Sequence, residues 1–442
     1  MSLKRLIFEK IKEETPNWVS EIIIKINKNP NYIFGREYKA YFKKLKKTNG
    51  VNPNLEKDLI KIVNFSIKNI PYYNKKYGNK IITSIDDFKK TIEPINKQIV
   101  LDNLDDFIIN KNECDLVATG GTSGKSMNIY LPKNRYITEL ATLHYAWGKI
   151  GYKFSSRAVI RNTKLSKKKH IINPLTKEYI FDGFKLNDEY FEYIYNIMKS
   201  KQIHFLHGYT SNLFMFGKFL IRNKKDYSFI KGLFTSSENV TELMNDFFKN
   251  RLKIPHINFY GHTEKLVFGA YCEKSTKYHI DSFYGYTEIL DENDQEKEFG
   301  EITGTTLHNF NMPLLRYRTG DFANKSKTGC KCKYKDLLLE NIIGRWNGDK
   351  IYNRDNSYVT TTALNLHSEI YSKINGIQYI QEKKGVLNIH ILKGDNYSKD
   401  DERLLLQAIK SKLNPDTDVH IVYPNQLEKK INGKFLLLIS NV

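Results

Sequence analysis

The sequence predicts a mixed α/β protein: a large N-terminal domain built on parallel sheet with a β-rich region, and a small α+β C-terminal domain. Three observations carry that prediction. Between residues 188 and 270, helix-spaced segments ("YFEYIYNIMKS", "SNLFMFGKFLI", "TELMNDFFKNRL") alternate with short apolar runs ("IHFLHG", "IKGLFTS", "PHINFYG"). Such alternation implies parallel strands covered by helices. From 278 to 343 the pattern changes to strand-like stretches with turns between them: "YHIDSFYGYTEIL", "GEITGTTLHN", "LLRYRTGDFA" and "DLLLENIIG". The last stretch reads strand, helix, strand, strand, helix, strand, a unit of its own. The expected domains are therefore 1–346 and 347–442.

The remaining elements follow in order. Residues 1–110 read as mostly helical. "NLEKDLIKIVNFSIKNI" (54–70) has apolar residues at helical spacing and stops before Pro71, which cannot continue a helix easily. "CDLVAT" (114–119) is a short apolar stretch before a glycine-rich loop. "IYLPKN" then reads as strand and turn, and 135–149 as a helix.

The chain has 442 residues, too many for one ordinary core, and 40% of them are apolar. The 29 Tyr and 25 Phe argue against disorder. No apolar run approaches the length of a membrane span, and the N-terminal stretch lacks the apolar core of a secretory signal. Four cysteines in such a chain are no disulfide framework. A cytoplasmic protein is expected. The net charge of +21 comes from lysines spread along the chain among abundant Ile, Asn and Tyr. That mix reads as compositional bias on a solvated surface, and no specific nucleic-acid partner is expected. A polyanion-binding surface is the alternative.

Five stretches carry possible chemistry. "TGGTSGKS" (119–126) has the makings of a phosphate loop. Gly120, Gly121 and Gly124 let backbone N–H groups approach an anion, Thr119, Thr122 and Ser123 bring hydroxyls, and Lys125 brings charge. It is not a Walker loop, because the first glycine of that pattern would fall on Thr119. A solvated turn is the plain alternative. "NFYGHTE" (258–264) ends a predicted strand, where ligands of α/β folds collect. There Tyr260 can stack on a base, Thr263 can donate to phosphate and Glu264 can hold Mg²⁺; a structural turn would look the same. In "PLLRYRTGDFA" (313–323), Asp321 after a glycine can accept from ribose hydroxyls. Arg316 and Arg318 alternate and should share a face, unless they serve surface ion pairs. "IIGRWNGDK" (342–350) lies at the domain boundary. Lys434, in "KKINGKFLLLIS" (429–440), sits in a glycine turn before an apolar strand, where an ordinary hairpin lysine would also fit.

The order of these stretches resembles the adenylate-forming superfamily of acyl-CoA synthetases, adenylation domains and luciferases. Within it the chain looks most like the phenylacetate-CoA ligase branch and its capsular-polysaccharide-biosynthesis relatives. "NIPYYNKKY" (69–77), "FLHGYTSNLFMF", "GLFTSSENVTE" and "GEITGTTLHNFNMPLLRYRTGD" resemble segments of that branch, and the resemblance runs from about residue 55 to the end.

The resemblance implies an ATP-dependent ligase that joins a small carboxylic acid to AMP with release of pyrophosphate. The acyl group then passes to CoA, a carrier-protein thiol or an amino-sugar acceptor. It implies that loop 119–126 clasps the pyrophosphate end of ATP, and that Glu264 binds Mg²⁺ while Thr263 contacts the α-phosphate. Ser237, Glu238 and Tyr260, with Gly261, would flank adenine, Asp321 would hold the ribose, and Lys434 would bridge carboxylate and α-phosphate. Arg345 and Asn347 fall at the hinge of a mobile C-terminal domain. Asn347 departs from an acidic residue usual there, as Gly121 and Ser126 depart from Thr and Pro in the loop. Separately, Cys330 and Cys332 with Cys272 and His279 make a four-ligand set for structural Zn²⁺, a placement similar to that in the same branch; reduced thiols are the alternative. Cys114 reads as core. A competing function is a non-catalytic, ligase-like protein that binds a polyanion.

Overall fold

The parallel run expected in the middle of the chain is present and forms part of a larger sheet. The computed structural model describes residues 10–442 except 13, 119–126, 162–164, 166–167, 184, 186, 237, 239, 333, 345–349, 357, 361–372 and 430–435. Helices dominate up to residue 110, and β1 (Cys114–Ala118) and β2 (Asn128–Pro132) then pair antiparallel across the glycine-rich segment. Cys114 is buried, as expected of a core residue.

The main sheet takes β3 (Arg157–Arg161), β4 (His170–Asn173), β5 (Glu178–Asp182), β6 (Phe205–Tyr209), β7 (Gly232–Ser236) and β8 (His256–Gly261). It continues through β9 (Phe268–Cys272), β10 (Ser275–Ile280), β11 (Gly285–Leu290), β12 (Phe299–Thr306), β13 (Tyr317–Lys325) and β14 (Leu338–Ile343). The order is β11-β12-β13-β14-β10-β9-β8-β7-β6-β3-β5-β4. Strands β5, β3, β6, β7 and β8 are mutually parallel; β9 runs antiparallel to β8 and opens the β-rich half.

Both faces of the parallel half are covered, which is why a strand such as "GLFTS" is buried at every position. On one face the helices Asp188–Ser200 and Thr210–Arg222 pack Phe191, Leu213 and Phe216 against Ala158, Ile160, Leu206 and Leu233. On the other, Trp147 from the helix Arg135–Gly148 stacks on Phe234 with ring centroids 4.4 Å apart. Two segments differ from expectation. "TELMNDFFKNRL" is not one regular helix: an α-helical turn over Glu242–Asp246 passes into a π-helix over Phe247–Leu252, which buries Phe247 and Phe248. "YHIDSFYGYTEIL" is two strands, because Asp281 accepts from the backbone N–H of Phe283 and turns the chain between β10 and β11.

The C-terminal unit contains the hairpin β15 (Lys350–Tyr352) and β16 (Tyr358–Thr360). Its second sheet, in order β19-β18-β17-β20, uses β17 (Ile374–Lys383), β18 (Val386–Lys393), β19 (Asp418–Val422) and β20 (Leu438–Ser440). The helix Lys399–Lys410 opens on a capping box between Ser398 and Asp401. It packs Leu405 and Ile409 on Ile374, Tyr379, Leu387 and Ile389, a core separate from those of the main sheet. The other helix expected here falls largely within 361–372, outside the described residues. No helix among the described residues is long and apolar enough to cross a membrane.

Candidate active site

The parallel strands end side by side at Arg161, Asp182, Tyr209, Ser236 and Gly261. The "YGHTE" segment leaves β8 at this rim. Tyr260 reaches across to β13 and donates to Asp321 Oδ2 at 2.8 Å. Burial, then the neighbouring Asp321, pushes the Tyr260 phenol well above its ordinary range, so it stays protonated as the donor. Asp321 follows Gly320, whose φ of +75° makes the turn that brings the carboxylate round. The Asp321 backbone N–H donates to Thr319 Oγ1 at 3.1 Å and completes that turn.

Glu264 is buried, with 6% of its surface exposed. His262 Nδ1 lies 3.0 Å from Glu264 Oε2, and Tyr317 donates to Oε1 at 3.3 Å. The backbone N–H of Val267 donates to His262 Nε2 at 3.2 Å. An Nε2 that accepts leaves the ring proton on Nδ1, so His262 is a neutral donor to Glu264. The carboxylate is thus oriented from both sides. The close approach of β11 supports the segment from behind: a Cβ at Gly285 would meet the Leu266 carbonyl at 1.9 Å, so only glycine fits there. Lys265 ties the same turn to Glu139 of the helix Arg135–Gly148 at 2.5 Å.

Glu238, after β7, accepts from the backbone N–H of Ser211 at 2.7 Å and from its hydroxyl at 3.0 Å. Its charge therefore rests at the N-terminus of the helix Thr210–Arg222, where the first N–H groups lack helical partners. The structure thus brings Tyr260, Gly261, Thr263, Glu264 and Asp321 together, and sets Glu238 after the neighbouring strand β7 at the same rim. Thr119 to Ser126, Ser237, Arg345, Asn347 and Lys434 lie outside the described residues. Arg316 has a φ of +47°, precedes β13 and is buried in a two-bond pair with Glu288, whereas Arg318 pairs with Glu301 and Asp294. Both serve ion pairs. His262 and Tyr317 had no assigned role in the sequence. The histidine lies inside the quoted motif, but nothing local indicates that Tyr317 meets Glu264.

At the opposite end of the β8–β9 pair, Cys272, His279, Cys330 and Cys332 place their ligand atoms within 4.8 Å of one another. Cys272 Sγ and Cys330 Sγ are 3.6 Å apart, near the ~3.7 Å that two Zn–S bonds at a tetrahedral angle would give. His279 Nε2 is 3.1 Å from Cys332 Sγ. Its Nδ1 faces the Lys277 carbonyl at 3.1 Å, which fixes the ring with Nε2 toward the sulfurs. Burial holds the His279 pKa down to about 4, so the imidazole is neutral. Backbone N–H groups of Lys274 and Cys332 point at Cys272 and Cys330 sulfurs. The cluster has the donor set and spacing to hold a metal ion.

The structure of 2-hydroxyisobutyryl-CoA ligase in the postadenylation state, in complex with 2-HIB-AMP, matches with a TM-score of 0.68. The match covers 88% of this chain and 92% of that one at 12% identity. The fold is that of the adenylate-forming CoA ligases. The same ligase in complex with 2-HIB-AMP and CoA in the thioesterification state matches with a TM-score of 0.55, at 13% identity and coverage of 88% and 91%. Its open conformation with 2-HIB-AMP and CoA also scores 0.55, at 14% identity and coverage of 87% and 90%. Residues 351–441 match the family model of the CapK C-terminal domain. No curated protein sequence matches the chain.

Proposed function

We propose that the protein is an ATP-dependent carboxylate-activating ligase. It forms an acyl-AMP and pyrophosphate, then passes the acyl group to CoA or another thiol or amine acceptor. The observation that carries this reading is the joint placement of Glu264, just past the end of β8, and Asp321 of β13, each carboxylate oriented by a tyrosine. Two orienting bonds on Glu264 pre-set its position before any ligand arrives.

In the first step the acid's carboxylate attacks the α-phosphorus of ATP in line, and pyrophosphate leaves. Asp321 accepts from the ribose hydroxyls, with Tyr260 as its fixed donor. Tyr260, Gly261, Ser237 and Glu238 flank the base. Backbone N–H groups and hydroxyls of 119–126, with Lys125, hold the phosphates, and Thr263 contacts the α-phosphate. Lys434 neutralises charge between carboxylate and α-phosphate. Glu264, a single buried carboxylate, suits Mg²⁺, which takes one or two carboxylates and completes its shell with phosphate and water; that ion would offset phosphate charge as the leaving group departs. Arg345 lies at the hinge between units 1–346 and 347–442. Cys272, His279, Cys330 and Cys332 fit a zinc ion whose four protein ligands leave no open position, a structural role. A phenylacetate-CoA ligase-like place in surface polysaccharide synthesis is consistent with the CapK C-terminal match.

A pyrophosphate-release assay across a panel of carboxylic acids, with ATP and magnesium, tests the proposal. Release that depends on one class of acid is expected. No release with any acid, from protein that binds ATP, would reject it.

A further inference from the structure

The C-terminal unit sends one lysine deep into the rim of the parallel sheet. Lys429 Nζ donates to Asn212 Oδ1 at 2.9 Å and to the Gly183 carbonyl at 3.3 Å. Gly183 directly follows β5, and Asn212, wholly buried, lies in the first turn of the helix that follows β6. Burial lowers the Lys429 pKa, and the nearby Glu238 charge works against that lowering. The amine therefore lies beside the same carboxylate that rests on Ser211, and gives up much of its hydration to sit there. A second lysine crosses in the other direction: Lys218 of the helix Thr210–Arg222 donates to the Ile374 carbonyl at the start of β17. Leu243 also packs against the C-terminal core.

These contacts belong to one arrangement of the two units. The chain superposes on the postadenylation form of 2-hydroxyisobutyryl-CoA ligase with a TM-score of 0.68, and on the thioesterification form of that enzyme with 0.55, at nearly equal coverage. A contact made by a dehydrated amine is suited to reversible docking, because water restores its hydration when the unit leaves. In the sequence Lys429 lies five positions before Lys434.

We propose that Lys429 is a positioning residue that docks the C-terminal unit for adenylation and releases it for acyl transfer. This rests on the carboxylate-ligase reading, and it adds a latch selective for one half-reaction.

The test compares wild type with Lys429→Met, which keeps the chain length and removes the donor, and with Lys429→Arg. Using an acid found by the panel, Lys429→Met is expected to slow ATP–pyrophosphate exchange about tenfold or more, the scale of one charged hydrogen bond. Consumption of synthetic acyl-AMP by the acceptor should stay within about twofold, and Lys429→Arg should recover most of the exchange. Unchanged exchange, or an equal fall in both half-reactions, would overturn the proposal. Two readouts need no acid. Acetylation of wild-type protein should modify Lys429 more slowly than exposed Lys43, and small-angle scattering should show Lys429→Met more extended than wild type. Equal labelling rates, or identical scattering, would overturn the latch even if no acid is ever activated; a wild type inactive with every acid but passing both would reject the ligase reading alone.

Discussion

At the Gly261 end of the β8–β9 pair, the carboxylates of Glu264, in the turn after β8, and Asp321, on β13, are oriented by Tyr260, His262 and Tyr317. At the Cys272 end, three sulfurs and an imidazole nitrogen lie within 4.8 Å of one another. The same pair of strands therefore ends in two kinds of polar site. The first keeps its hydrogen-bonding groups spread along a rim, as a site must if substrates are to enter and leave. The second spends every ligand on its neighbours, which suits an ion that stays. Phe268 pairs with Gly261, and Cys272 lies four residues on, roughly 14 Å along the strand. The two sites are thus mechanically linked but chemically separate.

That separation predicts opposite outcomes for substitutions at the two ends. The largest expected effect is at the rim. Glu264→Gln keeps size and loses charge, and should cut ATP–pyrophosphate exchange by about 10²- to 10³-fold, as loss of one preorganised electrostatic group does. Its melting temperature should barely move. A strong loss of folding with no specific loss of exchange would show that Glu264 is structural. Next comes Cys330→Ser. It should lower bound zinc well below the one per chain expected of wild type, and lower the melting temperature, while exchange per folded molecule stays near wild type. Elemental analysis showing no zinc in metal-replete wild type would remove the comparison. Asp321→Asn should raise the KM for ATP more than it lowers kcat, because the group meets the ribose and not the reacting atoms. The smallest effect is Tyr317→Phe. It removes one of the bonds that orient Glu264, and should slow exchange only about two- to tenfold.

The parallel half of the fold was readable where strands are apolar from end to end, as in β6 and β7. Strands β3 and β5 were not, because "RAVIR" and "EYIFD" carry charges at their ends. Those charges are buried: Arg157 and Glu178 pair at 2.6 Å inside the protein. A buried pair of this kind looks like surface in a sequence, since charge pattern alone does not reveal the partner. The site shows the same limit. Glu264, Asp321 and the Cys/His cluster residues stand in recognisable local patterns. Tyr317 on Glu264 and Lys429 on Asn212 join segments that only the tertiary fold brings together, so no spacing announces them.

The claim on which the account depends is acyl-adenylate formation, and acid-dependent ATP–pyrophosphate exchange by wild type and Lys434→Ala, side by side, measures it most directly. The account predicts magnesium-dependent exchange with a preferred class of acid, and loss of that exchange by orders of magnitude in folded Lys434→Ala. Exchange by Lys434→Ala at the wild-type rate, or exchange in wild type without any acid, would contradict it.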